Sequence, residues 1–142
     1  MLNGIEAFFR ADRDEKPLLI DSPEGVDALI DELLDGHPYC NMAQLRSLDR
    51  PLHPSGFPEH ALLAGVDRNA RVGIVAFSGE EGSFVPAGAA DKDCVTYMIA
   101  TYPREFLDSP EISIDLVRQA VKEFLLSGGL RPTCIEWQEE PF

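Results

Sequence analysis

The 142-residue chain is one domain's worth of sequence, and folding should bury roughly 68–70% of its unfolded surface without help from a metal or a disulfide. Its 44% hydrophobic and 26% charged residues exclude a disordered chain. Twenty-five acidic against twelve basic side chains leave a formal net charge of −13, which argues against direct binding to nucleic acid or an anionic membrane and favours a basic partner.

Leu2 to Arg10 reads as a first strand, which Gly4 and its mixed faces place at a sheet edge, and Pro17 to Asp21 reads as its partner. Ser22-Pro23 then supplies a capping residue followed by proline at the first helical position, and Val26, Leu29, Ile30, Leu33 and Leu34 trace one apolar stripe. Gly36 and Pro38 end this helix. From Pro17 to Leu45 there is no Lys or Arg, while Asp21, Glu24, Asp27, Asp31, Glu32 and Asp35 are all acidic. The helix dipole favours Glu24 and Asp27 in the opening turns, but Asp35 at the far end gains nothing from it. Such acids form either a solvated helix face or a surface for a basic partner.

Between Gly36 and Glu59 the chain carries Pro38, Pro51, Pro54, Gly56 and Pro58, which predicts an irregular connection with one short helical turn near Ala43 to Leu48. From Ala61 the pattern becomes a meander of antiparallel strands. These are Ala61 to Asp67, Arg71 to Ser78, Ser83 to Val85 and Cys94 to Tyr102, with turns at Arg68-Asn69-Ala70 and Gly79-Glu80-Glu81-Gly82. In the last strand Val95, Tyr97 and Ile99 alternate with Thr96, Met98 and Ala100, so both faces are apolar and a central position is expected.

A second amphipathic helix follows, with Leu116, Val117, Ala120, Val121, Phe124 and Leu125 at helical spacing, Ser113 as cap and Gly128-Gly129 as the stop. Pro132 blocks continuation, and Thr133, Ile135 and Trp137 read as a short strand. The sum is a single α+β domain over residues 1–142, an antiparallel sheet of about five or six strands covered on one face by two helices. The other face or its edge is left for a partner.

Chemistry is hard to find in this chain. His37, His53 and His60 are never at i, i+4 from one another, and together with Cys40 they match no established metal spacing. Cys40, Cys94 and Cys134 form no C-x-x-C pair and are expected to be reduced thiols. There is no nucleophile elbow, phosphate loop or dinucleotide fingerprint, so no catalytic residue and no cofactor is expected. Trp137 and Glu136, as neighbours on a strand, point to opposite faces, which makes Trp137 core filler and Glu136 a surface acid. Tyr97 and Tyr102 read as sheet packing. The N-terminus lacks a basic, then apolar, leader and no eighteen apolar residues run together, so a soluble cytoplasmic protein without membrane contact is expected.

The order helix, Gly128-Gly129, Arg131-Pro132-Thr133-Cys134, then Ile135-Glu136-Trp137-Gln138-Glu139 resembles the C-terminal signature of the Imm1 immunity protein family. The likeness extends upstream through Gly65-Val66-Asp67, Val72-Gly73-Ile74-Val75 and Tyr97. It implies a bacterial antitoxin that acts by binding a secreted toxin domain, often a nucleic-acid deaminase encoded next door, with no catalysis of its own. Combined with the charge, it points to partner contacts at Asp27, Asp31, Glu32 and Asp35, with Glu136, Glu139 and Glu140 at the C-terminus. The rival reading is a small enzyme or ligand-binding domain with a pocket beside the 36–59 connection, lined by Cys40, His53 and His60.

Overall fold

The computed structural model describes residues 4–9, 18–36, 41–49, 60–79, 82–87, 94–99, 102–106 and 111–139. Strand β1 (Ile5–Phe8) pairs with β2 (Leu18–Ile20), and helix α1 (Pro23–Asp35) follows. Strands β3 (Met42–Ser47), β4 (Ala61–Asp67), β5 (Val72–Gly79) and β6 (Gly82–Pro86) come next, then a separate hairpin of β7 (Val95–Ile99) and β8 (Tyr102–Phe106). The short β9 (Ile112–Ser113) leads into α2 (Ile114–Leu126), and β10 (Trp137–Glu139) closes the described chain. Among the described residues eight strands make one antiparallel sheet in the order β10-β6-β5-β4-β3-β1-β2, with β9 pairing β5. The α+β class is as expected; the sheet is larger, because β3 and β9 join the strands that the sequence marks.

Four local expectations are corrected. The predicted helical turn at Ala43 to Leu48 is strand β3, paired with β1 on one side and β4 on the other. Met42, Ala43 and Leu45 are buried, so the strand faces apolar surroundings on both sides and loses the alternation that would mark it. Strand β1 is interior, flanked by β2 and β3, and the edge is β2. The long strand at Cys94 to Tyr102 is divided between the two arms of a hairpin that lies apart from the main sheet, so it is not central. Thr133 to Ile135 form a bend, and only Trp137 continues into a strand.

Both helices pack on one face of the sheet. Ser22 Oγ accepts the Gly25 N–H at 3.2 Å to cap α1, and Ser113 Oγ accepts the Leu116 N–H at 3.2 Å to cap α2. Val26, Leu29, Ile30 and Leu33 of α1 join Val117, Ala120, Val121 and Phe124 of α2 over Ala43, Leu45, Leu62 and Ala64 of the sheet. Helix α2 stops in a Schellman motif, with Gly129 N–H donating to Phe124 O at 3.0 Å and Gly128 N–H to Leu125 O at 3.4 Å. Gly128 at φ 74° and Gly129 at φ 94° take the left-handed conformation this requires.

The hairpin covers part of the opposite face. Tyr97 and Phe106 pack edge to face, ring centres 6.2 Å apart, over Met42, Ile74, Ala76 and Val85. Asn41 ties this layer down, because its side-chain oxygen accepts the Met98 N–H at 2.8 Å while its carbonyl accepts the Val66 N–H at 2.9 Å. Two glycines let both layers approach β4 and β5. A Cβ at Gly73 would meet the Gly65 carbonyl oxygen at 2.5 Å and Val117 at 2.8 Å on the helix face, and one at Gly65 would meet the Tyr97 ring at 2.7 Å on the hairpin face. Among the described residues no helix is long and apolar enough to cross a membrane.

Candidate protein-binding surfaces

The acids of α1 divide into two kinds. Arg118 on α2 reaches Asp27 at 3.0 Å and Asp31 at 2.5 Å, and Lys122 one turn later reaches the second oxygen of Asp27 at 2.9 Å. Hydrogen bonds from Lys122 and then Arg118 hold the Asp27 carboxyl below its ordinary range, and the Asp31 carboxylate raises the Arg118 guanidinium in turn. These pairs also set direction: Asp27 lies beside Lys122 and Asp31 beside Arg118, so the two helices run antiparallel. Glu32 and Asp35 are exposed further along α1. That end of the helix adjoins the β4–β5 turn, where Leu33, Leu34 and Gly36 line a cleft of about 70 Å³ with Asn41, Asp67 and Arg68.

The segment after α2 is held by Glu123, a side chain that sequence reasoning does not single out. One oxygen of Glu123 accepts the Thr133 N–H at 2.6 Å and also the Thr133 hydroxyl, and the other accepts the Cys134 N–H at 3.1 Å. Partial burial pushes this carboxyl up, but the donors of Thr133 and Cys134 outweigh it and hold it below the usual carboxylate range. Burial, followed by the hydrogen bond with Glu123, pushes the Cys134 thiol up to about 11. Trp137 Nε1–H donates to the Pro132 carbonyl at 2.7 Å, and its ring packs against the edge of the helix-side core. Glu136 is exposed and its carbonyl accepts the Ala87 N–H at 2.7 Å. Trp137 as packing and Glu136 as a surface acid are thus as expected.

Strand β10 pairs with β6, which brings exposed Glu139 opposite Phe84, and the Arg131 guanidinium lies 4.5 Å from the centre of the Phe84 ring. Glu140 lies outside the described residues. The acids proposed from sequence therefore fall into separate groups. Glu32 and Asp35 sit toward the N-terminal end of α2, whereas Glu136 and Glu139 follow its C-terminal end, and a 13-residue helix is about 20 Å long.

His60 is a core residue. It is 4% exposed, its Nε2 accepts the Ser47 N–H at 2.9 Å, and its ring centre is 5.7 Å from that of Phe124. His37, His53 and Cys40 lie outside the described residues. Among those described, no group of three or more His, Cys, Asp or Glu is arranged to hold a metal ion. A groove of about 290 Å³ opens on the opposite face, between hairpin and sheet, lined by Gln44, Leu63, Ser78, Ser83, Ile99 and Arg104 among others. His60 is not among its lining residues, and the His60 ring faces Phe124 of α2 instead, although its chain neighbour Ala61 lines the groove.

Fold and surfaces together define a small α+β scaffold that displays its excess negative charge outward on rigid elements. The family model described as Immunity protein Imm1 matches residues 14–139, and the chain belongs to that family. Membership makes it an immunity protein, whose partner is a cognate toxin protein. No curated protein is similar enough to the chain to count as a match.

Sequence reasoning missed Glu123, Arg118 and Lys122 as organisers of these surfaces. The i, i+4 spacing of Arg118 and Lys122 shows that they share a helix stripe, yet nothing in the sequence names their partners 87 and more residues away. Glu123 carries no such signal, since its acceptors serve a bend ten residues on.

Proposed function

We propose that this immunity protein neutralises a nucleic-acid-targeting toxin, foremost a nucleic-acid deaminase, by laying an acidic surface over its active site. The observation that carries this reading is the net charge of −13 on a member of a toxin-binding family. An enzyme that handles nucleic acid needs a basic groove, and an acidic scaffold competes for that groove while gaining association rate from electrostatic steering. The contact acids are Asp27, Asp31, Glu32 and Asp35 on α1 and Glu136, Glu139 and Glu140 at the C-terminus. Asp27 and Asp31 act there through a network already shared with Arg118 and Lys122, whereas Glu136 and Glu139 stand exposed after α2. The protein makes and breaks no bond, works without a cofactor, and acts in the cytoplasm as one domain.

The test is co-expression with the protein encoded by the adjoining open reading frame. Rescue of growth, co-purification, and loss of that protein's deaminase activity on single- or double-stranded nucleic acid are expected. Toxicity that persists despite a folded, co-expressed immunity protein would refute the proposal. The pocket reading gains nothing from the one described histidine, because His60 is engaged with the backbone of Ser47.

A further inference from the structure

We infer that the corner where α2 ends and β10 begins is the docking surface for a basic protein partner, with Leu126 and Leu130 as its apolar anchors. This rests on the toxin-binding reading and adds where the partner sits. Leu126 and Leu130 are 59% and 61% exposed, one on each side of the Gly128-Gly129 turn. Next to them along the chain, Arg131 lies over the Phe84 ring, and Trp137 is half-buried on the neighbouring strand. Aromatic residues and arginine are the types that carry most binding energy once desolvated.

The rim of this corner is acidic. Glu136 and Glu139 are exposed at its β10 side. On the other side the antiparallel helices bring the start of α1 alongside the end of α2: Asp27 meets Lys122, so exposed Glu24 stands one turn further on, level with Leu126. An apolar centre with one guanidinium, Arg131, already stacked on Phe84, inside a carboxylate rim fits a cationic protein surface around an apolar projection. A second copy of the chain is a poor occupant, because each brings a net charge of −13 to the contact.

The corner is also rigid before anything binds. Two Schellman hydrogen bonds, the three donors converging on Glu123, and the Trp137–Pro132 bond fix residues 127–137 in place. Binding there orders little that folding has not already ordered, which favours slow dissociation. The groove beside the hairpin lacks this match among the described residues, where its one charged lining residue is Arg104.

The probe is the protein encoded by the adjoining open reading frame, immobilised for kinetic measurement. Leu126→Ser combined with Leu130→Ser, which removes the apolar anchors without changing the charge, is expected to raise the dissociation rate about 100-fold with little change in melting temperature. Glu136→Lys with Glu139→Lys should lower the association rate about tenfold and flatten its dependence on salt. Gln44→Arg, in the groove, should leave the dissociation rate as it is. If the wild type binds and the leucine variant dissociates within twofold of it, this inference falls while the toxin-binding reading stands. If the wild type does not bind at micromolar concentration, both fall. Sedimentation that shows a dimer abolished by the leucine substitutions would overturn the basic partner in favour of a second copy.

Discussion

Asp27 and Glu136 are both acids of a highly acidic chain, yet one belongs to the internal mechanics of the fold and the other to its outer surface. On α1, Asp27 and Asp31 are bound into ion pairs with α2 that fix how the helices lie. After α2, the roles are separated: Glu123 holds the chain, and Glu136 and Glu139 stand exposed on what it holds. The lesson is that charge density along a sequence marks where acids are, whereas their partners decide which remain available to another molecule.

The contrast breaks most severely at Glu123. Glu123→Ala removes the acceptor of three partly solvated donors and should cost about 1–2 kcal/mol in urea denaturation, with loss of protection of the Thr133 and Cys134 amides in hydrogen exchange. Arg118→Ala should cost less, because Arg118 links two helices already packed through their apolar faces, whereas Glu123 holds the backbone of an irregular segment. The exchange effects of Arg118→Ala should be confined to the helical layer.

Acid sharpens the same comparison. Glu123 and Asp27 are both held below their ordinary range in the folded protein, so the stability they contribute is complete above the unfolded carboxylate value of about 4 and is lost as pH falls through the lower folded values. Urea midpoints measured between pH 6 and 2.5 should therefore fall in acid. The slope should flatten in Glu123→Ala and, to a smaller degree, in Arg118→Ala.

A milder effect reports on the Glu123 neighbourhood through its thiol. Cys134, raised to about 11, should alkylate much more slowly at pH 8 than exposed Cys94, read peptide by peptide in mass spectrometry. Glu123→Gln should narrow the gap by removing the charged neighbour. The smallest stability effect belongs to the exposed end of α1, where Glu32→Lys with Asp35→Lys should shift stability by about 0.5 kcal/mol or less. Under the proposed function the same double variant slows toxin association; an unchanged rate would remove this end of α1 from the contact surface.

Much of the fold was legible because it is written locally. Ser22-Pro23, Ser113 and Gly128-Gly129 mark helix boundaries by capping chemistry, and the stripes of α1 and α2 are those that pack. The central strands β4 and β5 and the pairing of β1 with β2 were equally readable. Strand β3 was not, because Met42 and Leu45 stand three apart as on a helix and prolines follow them, while the strand owes its existence to neighbours on both sides. The hairpin was misplaced for a related reason: apolar residues facing a sheet from above look the same in sequence as apolar residues within it. The surfaces were legible only as charge. Which acids are engaged, and that Leu126 and Leu130 face outward, follows from tertiary contacts alone.

Among the described residues the main sheet ends at one margin in β2 and at the other in β10, each three residues long, and β10 carries Glu139 on its last position. Margins this brief give an incoming strand of another copy almost no ladder to extend, and the shared negative sign opposes the approach. Fibre growth through these two borders is therefore disfavoured even where the protein is concentrated.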